Sequence, residues 1–176
     1  GYGVLLAEYR GYGGNPGKPG EEELRSDALA YIDWVRNEER SKSNPLVLYG
    51  QSLGSGVVVD LASRLEQSSL AAVILEVPFL SIVDVSKQIY PFVPLQDILV
   101  RDAYRSDLKI EAITVPKLFL LAGRDEVVGF AGGQQLYELA KSPKMVKIYP
   151  DATHGAVYLY GAAYDVADFI AKELGQ

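Results

Sequence analysis

Short apolar runs alternate with longer amphipathic stretches along this chain. Residues 2–9, 46–50, 70–77, 116–122 and 145–149 are runs of strand length, and helical periodicity fills most of the intervals between them. That alternation predicts βαβ units, hence a mostly parallel sheet flanked by helices on both faces, an α/β fold. From Glu21 to Arg40, Leu24, Ala28, Leu29, Ile32 and Val35 share one helical face. Glu21, Glu22 and Glu23 open that stretch and Arg36 and Arg40 close it, as the helix macrodipole favours. After Ser52, Leu53, Val57, Leu61 and Leu65 recur at spacing four and predict a helix packed on the sheet. Two further helices are expected over Gly129–Lys141 and Val157–Leu174, with no internal repeat and no low-complexity linker.

Two regions break the pattern. Arg10 to Gly20 is too rich in Gly and Pro to be regular, and it joins a strand-like run to a helix. The other, around Tyr90 to Val100, sets Pro91 and Pro94 among Phe92, Val93, Leu95, Ile98 and Leu99. It reads either as a small cap over a pocket, spanning about 84–105, or as an ordinary packed crossover helix.

Composition narrows the classes. The 176 residues fit a single domain, 1–176, in which roughly 70 per cent of the unfolded surface can be buried, so no disulfide or metal staple is needed. The net charge of −6, with no cluster of Lys and Arg, argues against nucleic acid as a partner. Without cysteine there is no thiolate chemistry, and a single histidine excludes a multi-His metal site. No apolar run approaches the roughly 20 residues of a membrane span. The sequence opens on Gly1 rather than Met, with no signal-peptide pattern before Val4, and reads as a fragment or a processed product; a cytoplasmic location is the expectation.

The first Gly-rich loop fails as a dinucleotide fingerprint, because Pro16 stands where the third glycine belongs. Gly50 to Gly56 lacks the lysine of a Walker loop. Gly50-Gln51-Ser52-Leu53-Gly54 does match G-x-S-x-G, the nucleophile elbow, between a strand ending at Tyr49 and an apolar-faced helix. The glycines are expected where side chains at 50 and 54 would collide around a strained turn. A tight turn with Ser52 merely capping the helix is the plain alternative.

A serine hydroxyl needs a base, and His154 is the only histidine. It lies in Asp151-Ala152-Thr153-His154-Gly155, after the last strand and before the last helix, where a general base is better placed than an incidental imidazole. The acid that would hold its tautomer is best sought at Asp125, in the loop after Lys117–Ala122 and 29 residues before His154. Glu126, Asp151 and Glu76 are the competing carboxylates.

Ser52, Asp125 and His154, each after a successive strand, make the chain resemble the α/β-hydrolase superfamily. Gly3–Gly14, Pro78-Phe79, Tyr90-Pro91-Phe92 and Gly123-Arg124-Asp125-Glu126-Val127-Val128 resemble the branch containing abhydrolase-domain acyl hydrolases and protein depalmitoylases. The resemblance runs over essentially the whole chain and implies an N-terminally truncated α/β-hydrolase fold that hydrolyses esters or thioesters without a cofactor. Gly3–Glu8 matches the fourth strand of that fold. The preceding strand, whose His-Gly loop gives the second oxyanion donor, is not among these residues. The expectation is therefore a strand that re-pairs or drives homo-oligomer formation, and weak activity from one oxyanion donor.

The sequence thus points to a serine hydrolase acting on a small acyl ester or thioester. Ser52 is the nucleophile, His154 the base, Asp125 its orienter and the Leu53 N–H an oxyanion donor. Tyr12, Gln51, Pro78, Phe79, Phe92 and Val127 are the candidate pocket residues. The alternatives are a non-catalytic hydrolase fold serving assembly or binding, and peptide hydrolysis by the same triad.

Overall fold

Four of the five expected strands form one parallel sheet: β1 (Val47–Gln51), β2 (Ala72–Glu76), β3 (Lys117–Ala122) and β4 (Lys144–Tyr149), in the order β1-β2-β3-β4. Gln51 lies beside Glu76, Ile74 beside Leu118 and Ala122 beside Tyr149. The computed structural model describes residues 2–175, which fall into two units divided after Pro45.

The central strands explain their own composition. Every residue of β2 and β3 is buried, so both faces must be covered and the sequence runs apolar without alternation. One face is sealed by α2 (Leu53–Arg64), which is buried continuously from Ser55 to Ala62, and by the glycine-containing helix over Phe130–Leu139. On the other, Ala72, Ile74, Leu118 and Leu120 pack with Val157, Ala162 and Phe169 from the C-terminal segment. That segment is a 3-10 turn, Val157–Tyr160, and a helix over Ala162–Glu173, instead of one continuous helix from Val157. Gly161 sits at φ +95° between them, a conformation that interrupts a right-handed helix.

The fifth expected strand is not formed. Residues 2–9 have no regular structure, and Val4 and Leu6 are 81% and 88% exposed. A parallel strand exists only by pairing, and their unit offers no other extended segment, since it consists of turns and α1 (Glu21–Asn37). Re-pairing into a strand, one of the outcomes expected for this segment, does not occur; homo-oligomer formation through its exposed apolar residues remains a proposal that sedimentation tests. Within this unit Arg10 grips Asp27 of α1 through its backbone N–H (3.0 Å) and its guanidinium, Nε lying 2.9 Å from Oδ1. Tyr31 donates to the Glu8 carbonyl at 2.7 Å. α1 stops three residues before Arg40, where the Ser41 hydroxyl donates to the Val35 carbonyl at 2.7 Å.

The segment between β2 and β3 carries two short helices, Ile82–Ile89 and Gln96–Leu99, the first capped by Ser81 through the Asp84 N–H. Phe92 between them is 95% exposed. No described helix is long and apolar enough to cross a membrane, and no described group of three or more His, Cys, Asp or Glu could hold a metal ion.

At the end of the sheet remote from Ser52, Lys117 is fully buried, its Nζ donating to the carbonyls of Ile113 (2.9 Å) and Val115 (2.7 Å). Burial, helped by the charge of Lys144, pushes its ammonium down to about 8 from 10.5. The folded value lies below the unfolded one, so the charged form penalises folding below about pH 8, and the penalty fades as pH rises to about 10.5. Relative to Lys117→Met, the wild type should gain about 3 kcal/mol of stability over that interval. Paired urea unfolding curves from pH 7 to 11 measure the difference; a flat difference would mean the lysine keeps its ordinary titration.

Candidate active site

β1 ends at Gln51 and α2 begins at Leu53, leaving Ser52 alone to make the turn, at φ +50° and ψ −120°. Such a conformation costs a non-glycine residue about 1–3 kcal/mol and persists only where the surroundings enforce it. Here they do. The Ser52 N–H donates to the Glu76 carbonyl at 2.9 Å, and Ser55 donates to the Ser52 carbonyl through its N–H (2.8 Å) and hydroxyl (2.6 Å). A Cβ at Gly50 would lie 2.7 Å from the Ser55 Cα, so the expected collision is real there. At Gly54 it is not, because a Cβ would meet nothing within 4 Å. Leu53, as first residue of α2, presents its N–H at the helix N-terminus, where backbone donors lack helical partners and favour negative charge.

The Ser52 hydroxyl is 2.8 Å from His154 Nε2, across 102 residues of chain. On the far side of the ring, Nδ1 lies 3.0 and 2.9 Å from the two Asp125 carboxylate oxygens. Asp125 is itself fixed: Oδ1 accepts from the N–H groups of Val127 (3.0 Å) and Val128 (2.9 Å). Its side chain is 3% exposed and that of His154 17%. A carboxylate accepts only, so Nδ1 must donate, and Nε2 is left with its lone pair toward the serine O–H.

The loops carrying acid and imidazole are stitched together by backbone. Gly123 N–H donates to the Tyr149 carbonyl at 2.8 Å and Arg124 N–H to the Ala152 carbonyl at 2.9 Å. The approach needs glycine at 123, where a Cβ would come 2.7 Å from the Pro150 Cα. The competing carboxylates are engaged elsewhere or exposed. Asp151 pairs with Arg124 at 2.6 Å, Glu126 faces solvent, and Glu76 accepts from Gln51 Nε2 at 2.9 Å and from the Tyr49 hydroxyl.

The candidate pocket residues are scattered in character. Tyr12 lies in a turn of the first unit, its N–H donating to the Tyr9 carbonyl at 3.2 Å. Pro78 and Phe79 are buried, and a Cβ at Gly56 would come 2.9 Å from the Phe79 ring, which marks that ring as core under α2. Phe92 projects outward, Val127 is half-exposed beside the acid, and the Gln51 side chain is committed to Glu76. Sequence reasoning missed Tyr49 and Tyr158, whose hydroxyls meet at 2.9 Å next to Glu76. The alternation of Tyr49 and Gln51 on one face of β1 was the available signal; the contact with Tyr158, 109 residues on, left none.

Comparison with known proteins shows the family and the fold. Residues 1–104 match the family described as Serine aminopeptidase, S33. An uncharacterized protein of Mycobacterium tuberculosis is 36% identical over 154 residues, 88% of this chain and 53% of its own length. Lysophosphatidylserine lipase ABHD12 of Danio rerio is 36% identical over 158 residues, 82% of this chain and 41% of its own. The chain spans about half the length of the curated relatives it matches. Among solved structures, the Pyrococcus furiosus esterase Pf2001 superposes with a TM-score of 0.72 at 16% identity, over 94% of this chain and 68% of that one, a likeness of fold. A family match over more than half the residues, on a parallel sheet with a G-x-S-x-G turn at its edge, leads to one assignment: the chain belongs to the S33 serine aminopeptidase family of α/β-hydrolases.

Proposed function

We propose that this chain carries the catalytic centre of a serine hydrolase that cleaves carboxylic esters or thioesters through an acyl-enzyme. The observation behind the reading is the unbroken relay from the Ser52 hydroxyl through His154 to Asp125, with contacts of 2.8 and 2.9 Å. Ser52 Oγ attacks the acyl carbon as its proton passes to His154 Nε2. The carbonyl oxygen becomes an oxyanion facing the Leu53 N–H. As the tetrahedral intermediate collapses, the bond to the alcohol or thiol breaks and His154 returns the proton to that leaving group. Water, deprotonated by the same nitrogen, then attacks the acyl-serine and releases the acid and the free Ser52 hydroxyl. Asp125 holds the tautomer and faces the imidazolium that forms in each half-reaction.

The lipase and esterase names among its relatives support esters over amides, whereas the family's description keeps amide hydrolysis as a second reading. A p-nitrophenyl acyl ester, an acyl thioester and an aminoacyl p-nitroanilide offered in parallel separate the two. Turnover of the first two, with a fluorophosphonate adduct mapped to Ser52, is expected. Anilide turnover exceeding ester turnover would transfer the assignment to a peptidase, and neither turnover nor adduct would leave a binding or assembly role.

A further inference from the structure

His154 follows β4, at one edge of the sheet, while Ser52 follows β1 at the other, about 14 Å away at ordinary strand spacing. Their contact requires the turn after β4 to reach back across the whole end of the sheet and stay there. One chain of side chains spans that distance. Tyr158, four residues after His154 on the 3-10 turn, meets the Tyr49 hydroxyl at 2.9 Å. Tyr49 donates in turn to the Glu76 carboxylate, whose other oxygen accepts from Gln51, the residue before the nucleophile, at 2.9 Å.

We propose that Glu76 is a positioning residue, the anchor of a strap of Gln51, Tyr49 and Tyr158 that holds the histidine turn against the nucleophile strand and sets the Ser52–His154 contact. This rests on reading Ser52 and His154 as nucleophile and base.

The chemistry gives the strap a direction. A carboxylate only accepts, so Tyr49 must donate to Glu76, and its oxygen is left to accept from Tyr158. Glu76 is 2% exposed and has both oxygens engaged, and burial with the facing carboxylate pushes the Tyr49 phenol up, which keeps that proton in place. Immediately after Glu76, Val77 is held at φ +43°, a conformation that costs a β-branched residue energy and that clusters at functional sites. Its N–H is pinned to the Leu120 carbonyl at 2.9 Å. The tyrosines are themselves part-exposed, 39% and 47%, so deleting one hydroxyl should disturb position more than stability.

Glu76→Gln replaces the charged double acceptor with a neutral amide that can accept from only one of the two donors and so slackens the strap at its anchor, whereas Tyr158→Phe cuts it at the histidine end. In the intact chain, each should lower the rate constant for fluorophosphonate acylation of Ser52 by about ten- to a hundredfold, with the probe's binding constant unchanged. The double variant should be no slower than Glu76→Gln alone, because both changes cut one connection. His154 is the only imidazole, so its Nδ1–H gives a single downfield proton resonance, which both variants should shift. Wild-type acylation in Tyr158→Phe, a loss confined to probe binding, or an unmoved histidine resonance would each overturn the strap; Tyr158→Phe decides alone if Glu76→Gln does not fold. Were Ser52 unreactive in the wild type, the reading of the site would fall, and the resonance would still judge the strap.

Discussion

Replacing Ser52 with alanine is expected to lower ester turnover by about a millionfold, the loss that follows when a nucleophile acting as one unit with its base is removed. The fold should survive, because the bonds that hold the turn use the Ser52 backbone: its N–H to Glu76 and its carbonyl to Ser55. The hydroxyl's partner is His154, which keeps Asp125 when the hydroxyl is gone. Alanine tolerates the positive φ about as well as serine does. Steady-state kinetics with matched melting curves test this, and a folded Ser52→Ala protein retaining more than about one per cent of turnover would show that the nucleophile lies elsewhere.

The second large effect is expected at the acid. Asp125→Asn should cost about ten-thousandfold in turnover with little change in stability. The neighbours of Asp125 dictate how. Val127 and Val128 both direct N–H groups at Oδ1, so the asparagine carbonyl must take that place and turn its amino group toward His154. Nδ1 then has to accept, the ring proton moves to Nε2, and Nε2 meets the serine as a donor. A nitrogen in that tautomer cannot remove the serine proton. A loss below about tenfold for Asp125→Asn, beside a larger one for Glu76→Gln, would assign the acid to the end of β2 instead.

The sequence exposed most of this site because its parts are local. Ser52 announces itself through flanking glycines, of which Gly50 is required by contact with the following helical turn. His154 and Asp125 sit in loops directly after strands whose apolar runs are unmistakable. What it concealed depends on pairing between distant segments. Residues 2–9 are as apolar as a strand, but apolarity cannot provide a hydrogen-bonded neighbour. Phe79 resembled a pocket residue by its place after β2, yet Gly56 opens a niche in α2 that the ring occupies. Tyr158 could not be linked to Tyr49 by any spacing rule, since the contact exists only once the last turn has folded back over the sheet.

The strands stand in the sheet in the order in which they occur in the chain. A ribosome delivering these residues would therefore release β1 before β2, β3 and β4, and each of these later strands could dock on the one before it without waiting for a distant partner. The nucleophile would leave the exit tunnel roughly 100 residues before its base, and nascent chains would remain chemically silent until the fourth strand arrived. Capture by a serine-directed probe would thus report that the turn after β4 has docked beside β1, making Ser52 a built-in clock for that event.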